Sequence, residues 1–314
     1  MLVDAHAHVF PKVVGATGAG ATKGLGYGRI AIGNERIQLM PPLCEPTMHT
    51  PEMLLAHMDW AGVDKAVLLQ GSFYGECNQY VVEACRNHPD RLIGTMFCDP
   101  WAEGAKETFA SQGRGEGFVG VKLECSETTG FCGIHRGARL DDAGIAWLWD
   151  ELERKGMVLV LDLGAMGSAS YQTDAVRSIA ERHPGLTIVL AHLGQPNRAA
   201  EADKAKWRLW EQQIDLGRLP NVSFDTASLP AYVSSEGYPY PSAGRYLRMA
   251  IDRIGPSKVM WGTDIPGLLT HATYPQLVQA AHIHLQFLSA SERAMVMSEN
   301  AVRVFHWEPL RKGE

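Results

Sequence analysis

The segment Asp4-Ala5-His6-Ala7-His8 places two imidazoles two residues apart in an apolar stretch near the start of the chain. In an extended strand, residues i and i+2 share a face, so His6 and His8 project side by side. Neutral imidazoles paired in this way suit zinc or another first-row divalent ion. Two histidines on an amphipathic strand, with no ion between them, is the plainer alternative. Two more apolar runs close on an ionisable residue: Val189-Leu190-Ala191-His192-Leu193-Gly194 and Trp261-Gly262-Thr263-Asp264-Ile265-Pro266. A core histidine would account for His192 and a helix N-cap for Asp264. Three histidines and an aspartate gathered at three strand ends point instead to a catalytic cluster.

Such a cluster needs a frame that brings distant strand ends together. Eight short apolar runs supply candidate strands: residues 2–9, 65–70, 92–98, 118–124, 157–163, 187–193, 222–227 and 259–264. Most are rich in Val, Ile and Leu without strict alternation, as strands buried on both faces of a parallel sheet are. Helical spacing fills the intervals, at 51–60, 78–87, 143–155, 173–182 and 243–254. Thr50-Pro51-Glu52 reads as an N-cap with proline in the first turn, and Lys155-Gly156 as a helix stop. Eight strand–helix units predict one (β/α)₈ TIM barrel over residues 1–314. A doubly wound sheet is the alternative, although no G-x-G-x-x-G follows the first strand. Residues 10–46, with seven glycines among them, interrupt the pattern after the first strand. So long an insertion predicts a functional loop over the barrel mouth. No G-x-x-x-x-G-K-[ST] stands there to cradle a phosphate.

The 314 residues are 46% hydrophobic and 20% charged, with a net charge of −6. Charges of both signs are interspersed, and no basic block suggests a nucleic-acid partner. No apolar run is long enough to predict a membrane span, and Met1-Leu2-Val3-Asp4 does not read as a signal peptide. The six cysteines include no C-x-x-C pair, which predicts reduced thiols and a cytoplasmic setting. The expected partner is a small-molecule substrate, with assembly into a homo-oligomer left open.

The set D-x-H-x-H, A-H-L-G-x-P and G-T-D-x-P resembles the amidohydrolase superfamily, in its amidohydrolase-related branch of decarboxylases, hydratases and lactonases. The likeness runs from Val3 to Asn300-Ala301-Val302-Arg303-Val304-Phe305, and Gln70-Gly71-Ser72 and Pro89-Asp90-Arg91-Leu92-Ile93-Gly94 resemble the lactonase group. It implies a (β/α)₈ barrel. It also implies one divalent ion, expected to be zinc, on His6, His8 and Asp264. His192 becomes a further ligand or a substrate-polarising group. Many relatives carry a histidine at the end of the fifth strand. Here Val160-Leu161-Asp162-Leu163-Gly164 offers Asp162, as an oxygen ligand or as no ligand. The lactonase group also lacks that histidine, and some of its members act without metal. Lys122 and Glu124 lie where binuclear relatives bridge two metals, and an internal Lys–Glu pair is the structural alternative.

The resemblance implies hydrolysis of a lactone or similar cyclic ester, with Asp264 as proton acceptor and His192 polarising the carbonyl. The alternative is a metal-dependent decarboxylase or hydratase. Loop residues would choose the substrate: Ser72 and Tyr74 after the second strand, His135, Arg136 and Arg139 after the fourth, Gln195 and Arg198 after the sixth, and Tyr232, Tyr238 and Tyr240 after the seventh. Arginine suits carboxylate binding, so a small carboxylated or polyhydroxylated compound is expected.

Overall fold

The computed structural model describes residues 1–112 and 117–307. Twelve strands are present among them: β1 Val3–Ala7, β2 Ala16–Thr17, β3 Gly20–Gly26, β4 Arg29–Ile32, β5 Glu35–Gln38, β6 Lys65–Leu68, β7 Leu92–Phe97, β8 Gly120–Glu124, β9 Val158–Asp162, β10 Ile188–Leu190, β11 Val222–Asp225 and β12 Val259–Met260. Eight of them pair in parallel, in the order β1-β6-β7-β8-β9-β10-β11-β12. The residues after β12 return to β1. Ala5 N donates to Trp261 O at 3.0 Å, Asp264 N to His6 O at 2.7 Å, and His8 N to Ile265 O at 2.9 Å. These bonds bring the two edges together, and the sheet is the expected (β/α)₈ barrel. Gly262 permits the approach, since a Cβ there would stand 3.0 Å from the Cβ of His6.

The strands are shorter than the apolar runs suggest, because the last residues of several runs turn out of the sheet toward the mouth. The helices follow their capping signals. Thr50 Oγ1 accepts from Met53 N at 3.2 Å to open the helix Pro51–Ala61. The helix Ala146–Lys155 stops at Gly156, whose φ is 64°. Val158, Val160, Val189 and Met260 fill the barrel interior with Val3, Ala5 and Val67, while a larger apolar layer joins strands to helices. Among the described residues no helix is long and apolar enough to cross a membrane.

The expected loop at residues 10–46 is instead largely a second sheet, β2-β3-β4-β5, antiparallel throughout. Tyr27 and Gly28 join β3 to β4, with φ of 53° and 73°. Positive φ at both central residues suits the twist of a tight hairpin. Ile30 is fully buried in this sheet, and Val13, just before it, is 1% exposed.

Candidate active site

Parallel strands in a barrel all end on one face, and the ionisable residues gather there. His6 lies in β1, Lys122 and Glu124 in β8, and Asp162 and Asp225 end β9 and β11. His192 and Asp264 follow β10 and β12 in left-handed backbone, at φ 62° and 72°. That region is costly for residues with a Cβ, by about 1–3 kcal/mol each, and is held only where the surroundings enforce it. Asp4, at the base of β1, helps to enforce it at Asp264. Its Oδ1 accepts Thr263 N at 2.9 Å and His6 N at 3.0 Å, and its Oδ2 accepts the Tyr274 hydroxyl at 2.7 Å.

The ring orientations fix the protons. His8 Nδ1 donates to the Leu69 carbonyl at 2.8 Å, and a carbonyl can only accept. His6 Nδ1 lies 2.9 Å from Asp225 Oδ2 and donates to it. The remaining Nε2 atoms of both rings therefore carry lone pairs. Burial, the largest influence on each ring, disfavours the charged form of both; the Lys122 ammonium adds to this at His6. His8 Nε2 stands 2.9 Å from Asp264 Oδ1 and His6 Nε2 stands 3.9 Å from the same oxygen. Three lone-pair atoms converging this closely call for a shared cation, a proton or a metal ion. The Asp225 carboxylate behind His6 is the outer partner that typically orients a ligating imidazole. The donor set thus fits one divalent ion. Lys122 sits against it, with Nζ 3.3 Å from His6 Nε2 and 3.6 Å from Glu124 Oε2.

His192 is held differently. Its Nδ1 donates to the Ala227 carbonyl at 3.1 Å, and its Nε2 faces Asp162 Oδ2 at 3.2 Å. Burial opposes its charge, but the Asp162 carboxylate, together with those of Asp264 and Asp225, outweighs burial and lifts its pKa to about 10. Asp162 is held well below the usual carboxylate range: burial works the other way and is overcome by His192. The other oxygen of Asp162 accepts Gln195 Nε2 and Gly164 N, both at 2.9 Å. Burial works against the charge of Asp264 too, and the cation that its oxygen shares with His8, together with the neighbouring rings, holds it ionised. The Ser228 hydroxyl donates to its second oxygen. Glu124, buried and beside Asp162, is raised to about 7.

These side chains open into a cavity of about 380 Å³. His8, Lys122, Glu124, Asp162, His192, Gln195 and Asp264 line it, with Tyr74 and Tyr232 beside them. Ser72 is close by, but its hydroxyl donates to Thr129 O at 3.0 Å and it does not line the cavity. Arg136 and Arg198 stand exposed on the surface, away from the lining, and Arg198 faces Glu236 at 3.5 Å. Arg139 binds Asp141 and Asp174, His135 pairs with Asp99, and the Tyr240 hydroxyl donates to His271 O. Loop position alone does not say where a long side chain turns: Arg136 points to solvent, and Arg139, Arg198, His135 and Tyr240 find partners elsewhere. Asp225 is the residue that sequence reasoning passes over. Its signal is the one that marks Asp264, an acidic residue closing an apolar strand.

The family model for amidohydrolases matches residues 3–307. No curated protein sequence matches the chain. Among solved structures, an amidohydrolase from Burkholderia multivorans with bound zinc is similar, at 19% identity and a TM-score of 0.70, over 98% of this chain and 99% of that one. A probable 2-pyrone-4,6-dicarboxylic acid hydrolase from Acinetobacter baumannii, with citric acid bound, is 16% identical at a TM-score of 0.67, over 97% and 99%. The 2,6-dihydroxybenzoate decarboxylase from Rhizobium is 17% identical at 0.60, over 84% and 90%. At such identities these structures speak to the fold alone, and the barrel is common to all. The family match covers nearly the whole chain, from before His6 to beyond Asp264, and the chain belongs to the amidohydrolase family of enzymes.

Proposed function

We propose that this enzyme hydrolyses a lactone or similar cyclic ester. The observation that carries the reading is the pairing of an ionised carboxylate, Asp264, with a cationic imidazole, His192, in one cavity. Ester hydrolysis needs a base to take a proton from water and positive charge to meet the oxyanion that forms. His6, His8 and Asp264 would hold a divalent ion, zinc suiting their two nitrogens and one oxygen, and such an ion when bound makes a water acidic near neutral pH. Asp264 takes the proton of the attacking water at its carboxylate. His192, kept cationic by Asp162, stabilises the negative charge that develops on the carbonyl oxygen. As the ring C–O bond breaks, Asp264 returns the proton to the departing oxygen, and a hydroxy acid leaves. Asp162 in place of a fifth-strand histidine supports this reading, since it serves the charge of His192.

Product analysis tests the proposal. A panel of lactones is assayed at neutral pH beside aromatic and unsaturated acids monitored for CO₂. Acid release from a lactone at constant carbon count is the expected result. Release of CO₂ from an acid, with every lactone inert, would overturn the hydrolytic reading in favour of a lyase.

A further inference from the structure

The inserted sheet turns an apolar face toward the barrel mouth. Ile30 and Ile32 are two residues apart on β4, and Ile37 on β5 pairs with Ile30, so the three side chains share one face. Ile30 and Ile32 are buried, whereas Ile37 is 41% exposed. Ile32, Ile37 and Leu39 line the same cavity as His8, His192 and Asp264, and Phe73 continues the wall from the barrel side. A large aliphatic side chain left open beside ionised catalytic groups gains burial from an apolar group that fills the cavity.

The cationic groups of the polar wall already have partners on the protein. Lys122 is engaged by His6 and Glu124, and His192 by Asp162. Glu124 takes the hydroxyls of Ser126 and Thr129 at 2.8 and 3.1 Å. Among the described residues no arginine lines the cavity; Arg29 and Arg36 border an adjoining depression with Leu25 and Gln38, and Ile37 lines both. A substituent carboxylate seated on Ile32, Ile37, Leu39 and Phe73 would be buried against apolar side chains without a partner, which is costly.

We propose that the substrate is an uncharged lactone bearing an alkyl or aryl group, its carbonyl at His192 and Asp264 and its substituent on Ile32, Ile37, Leu39 and Phe73. This class departs from the carboxylated or polyhydroxylated compound expected from loop arginines, and it rests on the hydrolytic reading. Each added methylene seated on the wall should raise kcat/KM about fourfold until the wall is covered.

The experiment uses the full chain and matched ring pairs, one with a linear alkyl substituent and one with a carboxylate of similar length. Turnover is measured on the lactones, and binding by calorimetry on the corresponding cyclic ketones, which cannot be hydrolysed. The alkyl member is expected to be favoured at least about 10-fold in both measurements. Ile37→Asp should raise KM for the alkyl lactone at least about 5-fold more than for the unsubstituted ring. If the ketones show the alkyl preference but no lactone is hydrolysed, the apolar wall stands and the hydrolytic reading fails. If a carboxylated or sugar lactone is turned over faster than the alkyl one, the hydrolytic reading stands and the substrate class is overturned. Equal binding of both ketones also overturns it.

Discussion

His8 Nε2 stands 2.9 Å from Asp264 Oδ1, while the other nitrogen of the same ring already donates to the Leu69 carbonyl. Two lone-pair atoms from opposite ends of the chain are thus held in contact at the point where the barrel closes. A bound divalent ion would satisfy both. Elemental analysis of protein purified without added metal is expected to give about one divalent ion per chain, lost in His8→Ala. Exhaustive chelation should lower activity at least about 10-fold, with recovery on adding zinc. Full activity of metal-free protein would mean that the contact is held by a proton.

Asp162 acts on the reaction through His192, from 3.2 Å. Asp162→Asn removes the foremost of the carboxylate charges that together outweigh burial at the imidazole, so the pKa of His192 must fall from its raised value. The expected result is a lower kcat together with an alkaline limb of the rate profile displaced to lower pH. A fall in kcat with the limb in its original place would assign Asp162 a structural role alone.

Much of this was legible in the chain and part of it was not, for physical reasons. His6, His8, His192 and Asp264 stand out because each interrupts an apolar run at its end, where a barrel strand must open onto the mouth. The helices between strands announce themselves by caps such as Thr50 and Gly156. The sheet β2–β5 is obscured because β2, β4 and β5 have only two to four residues each and the longer β3 carries three glycines, which have little preference for strands. Its evidence is the Ile30-Ala31-Ile32 alternation after the Tyr27-Gly28 turn. Arg136 and Arg198 mislead because sequence gives a loop position but not a side-chain direction. Lys122 and Glu124 share a strand face, as their spacing requires, but only the folded chain sets the lysine against His6.

His49 makes stability sensitive to acid. It is fully buried, donates from Nδ1 to His8 O at 2.7 Å, and burial depresses its pKa to about 4. An unfolded histidine takes its proton near pH 6.5. Between about 6.5 and 4 the unfolded chain therefore binds the extra proton, and stability falls with falling pH by up to about 1.4 kcal/mol per unit from this group. Below the folded value both states are protonated and the contribution levels off. Urea unfolding at several pH values across this window should show a shallower acid decline in His49→Asn, whose amide keeps a donor near His8 O without titrating. An unchanged slope would assign the acid sensitivity to other groups.

The central claim is that Asp264 carries the proton of the attacking water, and the kcat of Asp264→Asn on the best lactone of the panel tests it most directly. The side chain keeps its size and cannot accept that proton, so kcat is expected to fall at least about 10²-fold, with the variant as resistant to urea as the parent to within about 1 kcal/mol. Near-normal turnover in a folded Asp264→Asn enzyme would contradict the account, whatever the substrate proves to be.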